Sequence, residues 1–252
     1  MKSLLTMVVL VLACQPVHAS KHRGVWFWRD TGSPYGAITI LGNNTLENQT
    51  IAFFSSQSIK RVYGSYGSGP VIDAPMIAAW NTKLQSAGIQ SQFLMSENTW
   101  IFPANRPDLL AKITERVLDY NGAAGRTVPE KFDALHLDIE PQGLPEWSSL
   151  SAIQKRDYLN LLRDTFAEVR QHFVNAGQPT FPVYADLPVW FDNYPGGSIG
   201  WVSAVERNQW FSDVASSLTG ITLMPFDRLT FSSIDNGVAW ERTNITGATV
   251  RV

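Results

Sequence analysis

The chain holds 1 Cys in 252 residues, at position 14, so no disulfide forms within it and its stability has to come from burial. Basic runs are also missing. Twenty Lys and Arg stand against 22 Asp and Glu for a net charge of −2, and no Lys/Arg cluster supplies the phosphate neutralisation on which nucleic-acid binding depends. Nucleic acid is therefore not an expected partner. No group of His, Cys, Asp and Glu has metal-ligand spacing, so neither a metal nor another cofactor is expected. A Gly-x-Gly-x-x-Gly turn and a Gly-x-Ser-x-Gly elbow are both lacking, which argues against a dinucleotide-binding sheet and an α/β-type serine hydrolase. What is abundant is apolar and aromatic: 44% hydrophobic residues, 13 Phe, 9 Trp and 7 Tyr against 17% charged. That composition excludes a disordered chain or a coiled coil and suits one large buried core.

Lys2 precedes an apolar run over residues 4–13, followed by Val17-His18-Ala19. This order of charge, short apolar run and small residues reads as a secretory signal cleaved after Ala19, and the run is too short to span a bilayer. Residues 20–252 are then a single domain, secreted or periplasmic. Val11-Leu12-Ala13-Cys14 also resembles a bacterial lipobox, and the alternative is an outer-membrane lipoprotein anchored through Cys14. Neither reading includes a transmembrane segment.

From Ser20 onward, short β-rich apolar runs alternate with segments of helical period. Strands are expected over residues 24–28, 60–66, 90–95, 134–139, 181–185, 221–226 and 248–252. Helices are expected over residues 46–58, 72–87, 107–120, 203–218 and 231–242. The clearest helix aligns Tyr158, Leu161, Leu162, Thr165, Phe166, Val169 and Phe173 on one face and ends at Asn175-Ala176-Gly177. Alternating strands and helices imply parallel β-α units, as in an open doubly wound sheet or a (β/α)8 barrel. Polar and aromatic residues gather just past the strand ends, at Trp28-Arg29-Asp30, Ser96-Glu97-Asn98, Asp138 to Pro141, Asp186 with Trp190, and Asp227-Arg228. A barrel puts its active site there, so the expected fold is a (β/α)8 TIM barrel. Only seven strands are found, and the last runs to Val252. Either one strand escapes the pattern or the chain is a truncated product lacking its last strand.

Candidate chemistry is concentrated in one of these strands, Phe132-Asp133-Ala134-Leu135-His136-Leu137-Asp138-Ile139-Glu140-Pro141. Successive side chains of a strand point to opposite faces, so Leu135, Leu137 and Ile139 face the helices while His136, Asp138 and Glu140 point into the barrel. Three ionisable groups in a row on an interior face are costly unless they pair or perform chemistry. One reading is a buried polar network that only pins the barrel. The other is catalytic, with the negative charge of Asp138 raising the pKa of Glu140 to make a general acid.

Residues 133–140 resemble the strand-four signature Asp-Gly-x-Asp-x-Asp-x-Glu of glycoside hydrolase family 18, the chitinases and endo-β-N-acetylglucosaminidases. Met224-Pro225-Phe226-Asp227 resembles that family's strand-six signature Met-x-Tyr-Asp. The resemblance implies a TIM barrel that hydrolyses a polysaccharide or oligosaccharide, with Glu140 protonating the leaving glycosidic oxygen. It further implies that the substrate's N-acetyl oxygen attacks the anomeric carbon while Asp138 orients the acetamido group. Three positions depart from the pattern: Ala134 for Gly, His136 for the inner Asp, and Phe226 for a Tyr whose hydroxyl contacts the acetamido group in the family. An inverting route, with Asp186, Asp227 or Glu97 as base, therefore stands beside the acetamido-assisted one.

The expected site is Glu140 and Asp138 as catalytic residues, with His136, Trp28, Glu97, Asp186, Trp190, Met224, Phe226 and Asp227 binding substrate. Trp26, Trp28, Trp100 and Trp190 lie near the expected mouth, where an indole can stack on a sugar ring, whereas Trp80, Trp210 and Trp240 lie in helical patterns and read as core. His22 and His172 read as solvent-facing. The rival to an exported glycosidase is a barrel of the same ancestry that binds carbohydrate without turning it over.

Overall fold

The computed structural model describes residues 23–30 and 32–252. The expected signal segment, Cys14 with its lipid-anchor alternative, and His22 lie outside the described residues. Seven strands form one parallel sheet in sequence order: β1 (Arg23–Phe27), β2 (Ile59–Gly64), β3 (Gln90–Met95), β4 (Ala134–Leu137), β5 (Val183–Pro188), β6 (Gly220–Met224) and β7 (Thr249–Arg251). The helices are α1 (Ala37–Ile40), α2 (Asn44–Ser56), α3 (Gly69–Ile72), α4 (Ala74–Ser86), α5 (Arg106–Ile113), α6 (Asp119–Gly122), α7 (Ala152–Asn175), α8 (Ala204–Ser217), α9 (Phe231–Gly237) and α10 (Ala239–Asn244). The sheet curls as a (β/α)8 barrel does but lacks one strand. Among the described residues β1 pairs only with β2 and β7 only with β6, which leaves a seam between β1 and β7.

The alternation expected of β4 is observed. Leu135, Leu137 and Ile139 are buried against the helix layer, while His136 and Asp138 face the interior. β4 ends two residues earlier than the pattern implies. The Asp138 N–H still donates to Met95 O at 2.9 Å, but the Glu140 N–H donates to the Asn98 side chain, so a loop amide replaces the next rung of the ladder.

α7 is the longest helix. Ser151 caps its first turn in a reciprocal box with Gln154, and Gly177, at φ +74°, closes its C-terminal end with the Gln178 N–H bonded to Phe173 O. Its buried stripe is Leu159, Leu162, Thr165, Phe166, Val169 and Phe173. Tyr158 and Leu161, expected on that stripe, are half-buried at its edge, because the helix is rotated to seat Leu159 inside. Burying each Phe or Leu of the stripe contributes about 1.5–3 kcal/mol. The segment expected as one helix over residues 231–242 is two, α9 and α10, separated at Val238. His172 departs from its solvent-facing expectation. It is half-buried beside Thr114, with Nε2 2.9 Å from the hydroxyl.

Candidate active site

The first Asp of the strand-four motif is structural. Asp133 accepts from the Ser91 N–H at 2.7 Å and from the Gln85 amide at 2.9 Å, which clamps the start of β4 to β3 and α4. Inside the barrel, His136 lies between two acceptors, Gln92 Oε1 at 3.0 Å from Nδ1 and Asp186 Oδ1 at 2.8 Å from Nε2. Both ring nitrogens are thus in hydrogen-bond contact, one with an amide and one with a carboxylate. Tyr63 stacks on the ring at 4.1 Å between centroids. The other Asp186 oxygen accepts from Trp26 Nε1 at 2.8 Å. Strands β1, β3, β4 and β5 thus meet in one buried network, Gln92–His136–Asp186–Trp26.

Asp138 lies one inward position further along β4 and has no such support. Its Oδ1 is buried without a hydrogen-bond partner. Burial first, then the charges of Asp186 and Glu140, push its pKa up to about 8, so the carboxyl is largely protonated at neutral pH. Glu140, next toward the mouth, is half-buried. Its pKa is raised by burial and by the charge of Asp186, while Gln142 Nε2, donating to Oε1 at 2.9 Å, opposes the rise. Asp138 was the expected cause of that rise, and this needs correction. Asp138 is itself neutral up to about pH 8, so the charge felt at Glu140 is that of Asp186.

The remaining candidates divide by depth. Asp186 is fully buried with both oxygens bonded, and Met224 is buried beside the mouth. Trp28 is 42% exposed and Phe226 is 72% exposed, its ring edge-on to Trp26 at 5.6 Å. Trp190 is half-buried against Phe191 and Trp147. Asp227 is exposed, 3.8 Å from Arg228, and Glu97 is exposed and caps the turn that follows β3 through Thr99. Trp100 is buried with its indole N–H on Asp108, and Trp80 and Trp210 are core, but Trp240 is only half-buried, under the Arg207 guanidinium. Sequence reasoning missed Gln92, Tyr63, Asn98 and Gln142. Gln92 and Tyr63 carry a partial signal, since each is a polar residue on a strand and is flanked on the opposite face by an apolar one, Phe93 and Val62. Among the described residues no group of three His, Cys, Asp or Glu could hold a metal, and no helix is long and apolar enough to cross a membrane.

No family model matches the chain, and no curated protein does. Solved structures are similar to it in fold. A chitinase from Chromobacterium violaceum superposes with a TM-score of 0.53 at 9% identity, over 90% of this chain and 66% of that one. The spore cortex-lytic enzyme of Bacillus megaterium superposes with a TM-score of 0.52 at 9% identity, over 90% of this chain and 48% of that one. This chain therefore spans between about half and two thirds of the length of those enzymes. The chain thus shares with those two enzymes the (β/α)-barrel fold, and two acids, Asp138 and Glu140, follow β4 on it.

Proposed function

We propose that this chain is an exported glycoside hydrolase that cleaves a polysaccharide or glycan, with Glu140 as general acid and Asp138 as the carboxyl that positions the attacking group. The observation carrying this reading is the electrostatics at the end of β4, where two acids are both held above their ordinary pKa values. A general acid must be protonated when substrate binds and lose its proton in the transition state, and burial and the charge of Asp186 raise the Glu140 carboxyl in the direction that role needs. Asp138, neutral in the same range, is a poor nucleophile. It can accept a hydrogen bond from a substrate acetamido N–H, which orients the acetamido oxygen for attack and suits that route better than a covalent glycosyl–carboxylate one. The fold neighbours support this choice by their names, a chitinase and a cortex-lytic enzyme.

The inverting alternative finds less support. A base for water has to be free to accept a proton, and Asp186 has both oxygens occupied while Glu97 and Asp227 are exposed surface groups. The binding-only reading has one observation in its favour, the exposed aromatic rim of Trp28 and Phe226, which could hold a sugar ring without turnover.

Both readings are tested by incubating N-acetylated and non-acetylated glycans with the wild-type chain and Glu140→Gln. Turnover that falls about a thousandfold in the variant supports the acid role. Glycan binding without turnover, equal in the two proteins, supports the binding module. Export is tested by the N-terminal mass of the protein recovered outside the cytoplasm, which begins at Ser20 after simple cleavage or at a lipidated Cys14 for the anchored form.

A further inference from the structure

The candidate acid is held from outside its own strand. In a parallel ladder each rung advances two residues on both strands, so the rung after Asp138 N–H to Met95 O would carry the Glu140 N–H to the carbonyl of Glu97. That carbonyl is taken. β3 turns there into a short 3-10 helix, Asn98–Ile101, and Glu97 O accepts from the Trp100 N–H at 3.2 Å. The Asn98 side chain supplies the replacement, with Oδ1 2.8 Å from the Glu140 nitrogen. A backbone N–H can only donate, so the carboxamide turns its oxygen to Glu140 and its nitrogen to Gly143. Glycine at 143 leaves room for that nitrogen, since a Cβ there would collide with Asn98 Nδ2. The turn that carries Asn98 is itself fixed. Glu97 caps it through the Thr99 N–H at 3.1 Å, and the Thr165 hydroxyl of α7 donates to Trp100 O at 3.2 Å. Glu140 has two further holds, both from its own turn: the Gly143 N–H on its carbonyl and Gln142 Nε2 on its carboxyl, each at 2.9 Å. Asn98 is the contact that ties this turn to the end of β3.

We propose that Asn98 is a positioning residue for glycosidic-bond cleavage, fixing through the Glu140 backbone the point at which the acid carboxyl meets the leaving oxygen. This role rests on Glu140 as the general acid of the proposed function. Past the last rung of β4 the strand no longer aims its side chains, and the Asn98 amide takes over that task for residue 140. An acid displaced by about 1 Å loses on the order of a hundredfold in rate. Because Asn98 holds backbone and not the reacting atoms, its loss acts on kcat and leaves KM nearly unchanged.

The experiment compares two compounds. One is an N-acetylated tetrasaccharide, whose leaving sugar needs a proton; the other is the 2,4-dinitrophenyl glycoside of an N-acetylated disaccharide, whose phenolate departs without one. Asn98→Leu is expected to lower kcat about a hundredfold on the tetrasaccharide, with KM within about twofold, and under about fivefold on the dinitrophenyl glycoside. Gly143→Ala, which leaves Asn98 in place but displaces its amide, shows the same pattern. Asn98→Asp keeps the accepting oxygen and restores most of the activity. A second readout needs no substrate. The Glu140 carboxyl carbon, followed by NMR across pH and assigned by its absence in Glu140→Gln, titrates above the ordinary 4.5 in wild type, because burial and the Asp186 charge raise it. Released from Asn98, the carboxyl turns toward solvent and titrates lower in Asn98→Leu and Gly143→Ala. If Asn98→Leu does not fold, Gly143→Ala and Asn98→Asp carry both readouts. A lower Tm with the wild-type Glu140 titration and the wild-type ratio of the two rates means that Asn98 only braces the loop, and overturns its positioning role alone. Tetrasaccharide activity kept in Glu140→Gln overturns the acid role of Glu140 and the positioning role with it.

Discussion

Two buried carboxyl groups have the same titration and different surroundings. Asp138 at the end of β4 and Glu241 in α10 are both pushed up to about 8, chiefly by burial. Glu241 is wholly enclosed, both oxygens lack a partner, and the charge that raises it further is that of Asp192, with Arg207 and Arg228 opposing. Asp138 neighbours Glu140, which opens toward the mouth, and lies above the Asp186 network. A raised pKa by itself therefore does not mark a catalytic group. What distinguishes Asp138 is a second acid just past it on the chain, with access to solvent.

The largest expected effect separates the two regions by activity. Glu140→Gln lowers turnover about a thousandfold and leaves Tm near wild type, because the half-buried amide keeps the shape of the acid. Activity retained in that variant would remove Glu140 from the mechanism.

Asp138→Asn and Glu241→Gln then sharpen the comparison through pH. For each acid the folded chain keeps a proton that the unfolded chain releases above its ordinary pKa of 3.8 or 4.5. Between those values and about 8 the native state thus binds more protons, and stability falls as pH rises by about 1.4 kcal/mol per pH unit per group, levelling off above 8. Each substitution removes its share of that slope, so both variants gain stability at pH 8 relative to wild type in denaturant titrations. Only Asp138→Asn loses activity, by about a hundredfold. Equal activity losses in both variants would break the distinction.

The Asp186 network is expected to be next in size. Asp186→Asn breaks up the buried hydrogen bonds of Asp186 to His136 and Trp26 and costs about 1–3 kcal/mol in chemical denaturation at pH 7. It also removes the negative charge beside Asp138 and Glu140, so the alkaline limb of the activity profile moves to lower pH. The smallest effect belongs to Gln142→Leu. Loss of the donor that stabilises ionised Glu140 raises the pKa of that acid and moves the alkaline limb up by under about one unit. A shift in the opposite direction would show that Gln142 does not act on Glu140.

Much of the barrel was legible because its signals are local. The 3.6-residue stripe of α7, its terminal glycine and the period-two alternation of β4 follow from the geometry of single elements, and each element lies within a few residues of its expected position. The break between α9 and α10 and the rotation of α7 toward Leu159 were not legible, because helix–sheet packing decides both.

The strand-face argument placed His136 on the inner face of β4, and Asp138, whose N–H still bonds Met95, continues that alternation, whereas Glu140 lies past the strand on a backbone held by Asn98. The sequence by itself also determined the charge balance, the lack of disulfides and the order of the strands. Which acid is neutral and which bonded depends on partners far away in the chain. Trp26 is 160 positions from Asp186, and Gln92 is 44 from His136. Only the curling of the sheet brings these donors and acceptors within 3 Å, and the same closure leaves Asp138 without them. Burial and the distances between charges shift a pKa, and both are properties of the folded barrel that no segment of its sequence carries alone.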